Sequence, residues 1–135
     1  MTTFSTDKAW KQWGAQEPYF AVLSDDKFRG DRLDGNLEEF FASGERYIAG
    51  RLALAEWAFG ALKTESALDF GCGVARLVIP LAQRFKAVTG VDVSPAMLRE
   101  AKANLAKRGL SNVALIESDI RPGHLDQTYD FVHSY

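Results

Sequence analysis

Residues 67–77, ALDFGCGVARL, constrain the fold of this chain more than any other segment. A short apolar stretch runs into the acidic Asp69, and a tight glycine turn and the start of a helical segment follow. This order predicts a crevice in which backbone N–H groups, unobstructed by side chains at Gly71 and Gly73, can approach a ligand at the N-terminus of a helix. A nucleotide-like ligand is the expected occupant.

Acidic residues also follow the next two β-prone stretches. Residues 87–91 are followed by Asp92, which lies nineteen positions after Gly73. Residues 113–116 are followed by Glu117, Ser118 and Asp119. In a βαβ unit, this spacing places Asp92 within reach of ribose hydroxyls and Asp119 near the exocyclic amine of adenine. A helix-capping role would explain any one of Asp69, Asp92 and Asp119. It explains poorly why an acidic residue lies at the end of each of the three predicted strands.

Four segments together resemble the class I S-adenosylmethionine-dependent methyltransferases. They are LDFGCGVARL at 68–77, VTGVDVSPAML at 88–98, VALIESDI at 113–120 and YDFVHSY at 129–135, in the order and spacing of that family. The resemblance implies an α/β fold with a Rossmann-like, doubly wound, mostly parallel sheet. It also implies S-adenosyl-L-methionine as the cofactor and methyl transfer as the activity, and we expect a small-molecule acceptor.

The same resemblance implies roles for the residues at the strand ends. Gly71, Cys72 and Gly73 would lie near the methionyl part of the cofactor, and Asp69 would orient the turn and the cofactor's ammonium group. Asp92 would bind the ribose, and Asp119 with the backbone of Ile120 would bind adenine.

Other residues are assigned to the adenine ring and to the acceptor. Val93 and Met97 could enclose adenine, although the helical spacing of Met97 suits the core equally well. The acceptor pocket could be lined by His133, Ser134 and Tyr135, and we expect His133 to be a packed or solvated imidazole more readily than a base. No catalytic residue is assigned.

Two residues depart from the expected pattern of the glycine turn and its helix. Ala75 stands where the family often has a third glycine, so the backbone there must tolerate a methyl group. Pro80 falls inside the predicted helix 74–85, where proline costs roughly 3 kcal/mol, and we expect a kink.

The N-terminal part is expected to be an extension, residues 1–42, with short helices, one of them near 6–13, and a long loop. Its aromatic side chains should pack against the rest of the chain. An amphipathic helix is predicted over 43–62 with Ser43 as its N-cap and an apolar face that includes Phe59. Tyr19 and Arg46 are conceivable cofactor contacts, although core packing is the favoured interpretation.

The remaining pattern predicts strands at 66–70, 87–91, 113–117 and 129–134 and a helix at 95–108, within an α/β domain over 43–135. The family's sheet has seven strands in the order 3-2-1-4-5-7-6, so the chain resembles an N-terminal fragment that ends at strand 4. The exposed edge of that strand could then support self-association.

Composition narrows the function classes. The 135 residues carry a net charge of −2 without a basic stripe, so we expect no nucleic-acid partner. A single cysteine and two widely separated histidines give no metal-ligand spacing, and no intrachain disulfide can form. The chain shows neither a signal-peptide pattern nor a membrane-spanning apolar run, and we expect it to be cytoplasmic.

Two other functions compete with methyl transfer. An NAD(P)-dependent oxidoreductase would need GxGxxG, but Arg76 occupies the sixth position, where close helix packing requires glycine. A module that binds the cofactor without turnover would share every cofactor-binding residue, so only turnover separates it from an enzyme.

Overall fold

The computed structural model describes residues 5–118 and 125–135. Three helices come first, with two short 3-10 turns before the third. An alternation of strands and helices follows. The elements are α1 (Thr6–Gln16), α2 (Pro18–Leu23), α3 (Leu33–Phe59), β1 (Ser66–Phe70), α4 (Val78–Ala82), β2 (Ala87–Asp92), α5 (Pro95–Lys107), β3 (Val113–Glu117) and β4 (Phe131–Ser134).

The four described strands form one parallel sheet in the order β3-β2-β1-β4. Asp69 on β1 is paired with Gly90 on β2 and with His133 on β4, and Asp92 is paired with Glu117 on β3. The carboxyl ends of the strands therefore meet at one edge of the sheet, and the predicted parallel α/β architecture is confirmed.

Helix α5 has the predicted N-terminal boundary. Ser94 precedes it in extended conformation, and its Oγ accepts a hydrogen bond from the Met97 amide at 3.3 Å. Pro95 occupies the first helical turn, where a missing backbone donor costs nothing. Gly109 follows the helix with φ of 64°, as expected of a residue that reverses the chain.

The long N-terminal helix begins earlier than the sequence pattern predicted. Helix α3 starts at Leu33, so the assignment of Ser43 as an N-cap was wrong. Phe40 and Phe41 are buried on this helix, and their burial explains why it extends toward the N-terminus. Phe59 is 86% exposed, so the predicted apolar face does not continue to the end of the helix.

The helix after the glycine turn is much shorter than predicted. Gly73 and Ala75 have φ of 52° and 74°, which are incompatible with a regular helix, and α4 covers only Val78–Ala82 rather than 74–85. Pro80 therefore lies in the first turn, where backbone N–H groups need no intrahelical acceptor. The reason for expecting a kink is thus absent.

The N-terminal elements pack into the same core as the sheet. Tyr19, Phe28, Phe40 and Phe41 form a cluster of edge-on aromatic contacts, as expected from the aromatic content of this region. Helix α3 runs through the proposed boundary at residue 42, and the division into 1–42 and 43–135 stays a prediction. Among the described residues, no helix is both long and apolar enough to cross a membrane.

Candidate ligand-binding site at the strand ends

A cavity of about 240 Å³ opens at the carboxyl ends of β1 and β2. One wall is formed by the residues that end these strands and by the turns that follow them. The second wall, called the helical wall below, comes from the N-terminal helices α1 and α2 through Trp10, Ala21 and Val22. Side chains from both walls include Trp10, Val22, Asp92, Val93, Met97 and Tyr135.

The glycine turn adopts the conformation that its residues predicted, but its amides are used differently. Gly71 and Gly73 have φ of 80° and 52°, which favour glycine. A Cβ on Gly71 would meet no atom within 4 Å, so this backbone is open to a ligand. The amides of Gly71 and Cys72 donate to the Val91 carbonyl oxygen at 2.8 and 2.9 Å. The expectation that turn N–H groups would be free to bind a ligand at a helix N-terminus was therefore wrong.

Asp92 closes the turn and lies at the edge of the cavity. Its Oδ2 accepts a hydrogen bond from the Gly73 amide at 2.8 Å, and its Oδ1 accepts one from the Ser94 amide at 2.9 Å. The side chain is half-buried and contributes to the cavity wall. Each carboxylate oxygen can accept a second hydrogen bond, so Asp92 can hold the turn and still receive two hydroxyl donors.

The adenine-side residues are only partly described. Val93 and Met97 are buried and both line the cavity, so the two predictions for Met97, core packing and ligand contact, are compatible. Ser118 lines the same part of the cavity, and its amide donates to the Asp92 carbonyl at 3.1 Å. The predicted adenine contacts Asp119 and Ile120 lie outside the described residues.

Asp69 and His133 form a buried pair beneath the cavity. His133 Nδ1 lies 3.1 Å from Asp69 Oδ1, and His133 Nε2 lies 3.1 Å from the Tyr47 hydroxyl. Burial raises the pKa of Asp69, although the hydrogen bond with His133 lowers it in part. His133 does not line the cavity, whereas Asp69, Ser134 and Tyr135 do.

Cys72 lines the cavity but is buried, with an exposed fraction of 5%. Burial raises the pKa of its thiol well above the ordinary value, and the nearby carboxylates of Asp69 and Asp92 raise it further. The thiol is therefore protonated at neutral pH, which agrees with a packing role rather than a nucleophilic one.

The two conceivable cofactor contacts from the N-terminal part lie elsewhere. The Tyr19 hydroxyl donates to Glu100 Oε2 at 3.1 Å and contacts Asn104 of α5, so Tyr19 belongs to the core. Arg46 is exposed and does not line the cavity. No group of three or more His, Cys, Asp and Glu side chains that could hold a metal ion occurs within residues 5–118 and 125–135.

Sequence reasoning missed Trp10, Val22 and Arg76 as cavity residues. Trp10 and Val22 reach the cavity only through the packing of α1 and α2, for which no local motif exists. Arg76 had a recognisable signal, because it is a long cationic side chain next to a glycine turn that otherwise consists of small residues. It is 6% exposed and lines the cavity.

Comparison with characterised proteins agrees with this architecture. The chain is 35% identical to the aklanonic acid methyltransferase DauC of Streptomyces sp. (strain C5) over 72 residues, which are 50% of this chain and 33% of that protein. It is 27% identical over 113 residues to the 23S rRNA (uracil(1939)-C(5))-methyltransferase RlmD of Marinomonas posidonica, covering 80% of this chain and 26% of RlmD. The chain thus spans about a third or less of the length of these relatives.

A solved structure shares the fold over nearly the whole chain. Magnesium protoporphyrin IX methyltransferase (ChlM) from Synechocystis PCC 6803, solved with bound SAM, superposes with a TM-score of 0.66 at 21% identity. The match covers 99% of this chain and 63% of ChlM. The sheet and the N-terminal helices described above are therefore an arrangement also found in ChlM.

The family model described as a methyltransferase domain matches residues 67–135, which begin in β1 and include all the strand-end residues of the cavity. The chain belongs to this methyltransferase domain family.

Proposed function

We propose that this chain binds S-adenosylmethionine and acts as an S-adenosylmethionine-dependent methyltransferase. The observation that carries the proposal is the position of Asp92, whose carboxylate lies at the edge of the cavity beside Gly71 and Gly73. Family membership supports the same cofactor. The donor groups of the cavity are those that a nucleoside with two ribose hydroxyls requires.

The occupied turn amides favour this cofactor over a nicotinamide dinucleotide. A dinucleotide places its pyrophosphate on free backbone N–H groups at a helix N-terminus. Here the amides of Gly71, Cys72 and Gly73 already donate to Val91 and Asp92, and α4 starts only at Val78. A sulfonium cofactor carries no phosphate and loses nothing at such a turn.

Each cavity residue then has a defined task. Asp92 accepts hydrogen bonds from the ribose hydroxyls, Val93 and Met97 enclose the adenine ring, and the open side of Gly71 admits the methionyl chain. Asp69, held by His133, presents negative potential to the ammonium group. The bound cofactor supplies an activated methyl group, so the protein must mainly align the acceptor and exclude water.

A small molecule is the acceptor that we propose. Ser134 and Tyr135 line the cavity at the end of β4 and offer hydroxyl groups to an acceptor. The net charge of −2 and the absence of a basic stripe in the sequence give a nucleic acid little to bind. The names of the relatives cover both classes, since DauC acts on aklanonic acid and RlmD on rRNA.

Replacement of Asp92 tests the cofactor assignment. We expect Asp92→Ala to weaken binding of S-adenosylhomocysteine by about 10- to 100-fold, because hydrogen bonds to a charged group contribute roughly 1.5–3 kcal/mol. Isothermal titration calorimetry gives the affinity, and circular dichroism shows whether the variant is folded.

Glu117→Ala is the matched control. Glu117 is the register partner of Asp92 on β3, but it is exposed and does not line the cavity. Its replacement should leave the affinity within about twofold. Equal affinities for the folded Asp92→Ala variant and the control would exclude the ribose role of Asp92.

Turnover separates an enzyme from a module that only binds the cofactor. The test is transfer of a labelled methyl group from S-adenosylmethionine to a panel of small-molecule hydroxyl, amine and carbon acceptors, with an RNA arm. Label on a small acceptor supports the proposal, and label confined to RNA would contradict the acceptor class.

A further inference from the structure

The outer edge of β3 carries backbone groups that the sheet does not use. β3 is the first strand in the order β3-β2-β1-β4, and within residues 5–118 and 125–135 it pairs only with β2. The Val88 amide donates to the Asn112 carbonyl oxygen, and the Ser118 amide donates to the Asp92 carbonyl oxygen. Alternate residues of a parallel strand face the same neighbour, so the even-numbered residues face β2. The residues whose backbone groups point away from the sheet are Val113, Leu115 and Glu117.

The side chains of β3 do little to protect this edge. Native edge strands are commonly shielded by lysine, proline or a bulge. β3 contains neither lysine nor proline, and its register with β2 runs without interruption. Val113 and Leu115 pack against the core, so Ala114 and Ile116 point to the other face of the sheet, where both are exposed. An edge of this kind pairs readily with another strand.

A second copy of the same edge satisfies these groups. In an antiparallel pair with a twofold axis at Leu115, this residue opposes its own copy, and Val113 opposes Glu117 of the second copy. Each of these outward-facing pairs exchanges two backbone hydrogen bonds. The twofold axis repeats every contact, as in the isologous interfaces of most homodimers.

Opposite charges lie at the two ends of this edge. Glu117 ends β3 on the sheet face that α5 covers, whereas Lys107 ends α5, and the chain reverses at Gly109 before β3 begins at Val113. Neither Glu117 nor Lys107 forms an ion pair with another residue of the described part of the chain. Antiparallel pairing brings Glu117 beside Val113 of the second copy, and hence toward its Lys107. The charges of the edge are therefore complementary to themselves.

The edge at β4 lacks this self-complementarity. The Asp130 amide donates to the Ser66 carbonyl oxygen, so by the same alternation Phe131 and His133 are the residues of β4 that point outward. The carboxylate of Asp130 already accepts hydrogen bonds from the amides of Glu65 and Ser66. No basic group matches it along this short strand.

We propose that two copies of this chain associate through antiparallel pairing of their β3 edges, with an ion pair between Glu117 and Lys107 at each end of the interface. The sheets of the two copies then form one continuous sheet. This inference does not rest on the proposed function, because none of Val113, Leu115, Glu117 and Lys107 lines the cavity.

A charge-exchange cycle tests the interface. Sedimentation velocity at increasing protein concentration gives the dissociation constant of the dimer. We expect Glu117→Lys and Lys107→Glu each to weaken dimerisation by about 10-fold or more, because each places like charges together at both ends of the interface. The double variant restores opposite charges, and its dissociation constant should return to within about threefold of the wild-type value.

Lys11→Glu is the matched control, since it makes the same chemical change at an exposed residue of α1. It should leave the dissociation constant within about twofold of the wild-type value. Glu117→Pro tests the backbone pairing, because it removes an outward amide that β2 does not use. We expect it to weaken dimerisation more than Glu117→Ala does, and circular dichroism shows whether each variant is folded.

A wild-type protein that stays monomeric up to about 200 µM would overturn the inference. A dimer that both single charge variants leave unchanged would overturn it as well, because the contact would then lie elsewhere, as at the β4 edge. Failure of the folded double variant to recover would exclude this register of pairing. None of these results bears on the proposed function, which the titration with S-adenosylhomocysteine tests separately.

Discussion

The two walls of the cavity are built by different means. The strand-end wall consists of local turns, in which Gly71 and Gly73 have positive φ. The carboxylate of Asp92 accepts hydrogen bonds from the backbone N–H groups of Gly73 and Ser94. The helical wall consists of side chains from α1 and α2, and α3 packs beside it against Arg76. The difference teaches that local sequence sets the ligand-facing backbone, whereas tertiary packing sets what covers it.

Close packing of α3 against the glycine turn depends on a glycine in this helix. A Cβ on Gly44 would overlap the backbone carbonyl oxygen of Arg76, whereas a Cβ on Gly50 of the same helix would meet nothing within 4 Å. We expect Gly44→Ala to lower the free energy of unfolding by about 3 kcal/mol, at the upper end for overpacking, because backbone must move. Urea unfolding measures this change.

Gly50→Ala is the matched variant, with the same chemical change on the same helix. It should raise the free energy of unfolding by about 0.5–1 kcal/mol, because alanine restricts the unfolded chain and favours the helix. If the two variants shift stability alike, α3 does not pack against the glycine turn as described, and the contrast between the walls is lost.

A buried amide joins the two walls. Asn104 of α5 is 1% exposed, and its Nδ2 donates to the Val74 carbonyl and to the Tyr19 hydroxyl, both at 3.0 Å. Asn104→Leu would leave both oxygens without this donor, and we expect a loss of about 2 kcal/mol in the free energy of unfolding.

Tyr19→Phe sharpens this test, because it removes the hydroxyl from the same network. The single change should cost about 1 kcal/mol, and the double variant should cost less than the sum of the two. Strict additivity of the two changes would show that the walls are not coupled through Asn104.

The reactivity of the buried Cys72 thiol reports how often the glycine turn opens to solvent. Because burial raises the pKa of its thiol, we expect alkylation by iodoacetamide at pH 8 to be about tenfold or more slower in the folded protein than in urea. Mass spectrometry of timed samples gives both rates. Similar rates would mean that the turn opens readily and is not the rigid element inferred from its hydrogen bonds.

The sequence was informative where function depends on backbone conformation. The parallel sheet, the glycine turn, the Asp92 position and the Ser94 cap follow from short-range rules that single residues satisfy. The same rules predicted too long a helix after the turn, because nothing in an alanine indicates the left-handed conformation that Ala75 adopts.

The helical wall was not predictable in the same way. Ser43 looked like an N-cap because its side chain suits caps, yet α3 continues through it and uses its hydroxyl to hold Arg76. The cavity role of Trp10 and the network of Asn104 arise from contacts between residues far apart in sequence. No periodicity or turn pattern records such contacts.

The most direct test of the account is a calorimetric titration of the unmodified protein with S-adenosylhomocysteine and, separately, with NAD. We expect saturable one-to-one binding of S-adenosylhomocysteine and no binding of NAD, because the turn amides are already engaged. Tight binding of NAD without a response to S-adenosylhomocysteine would contradict it.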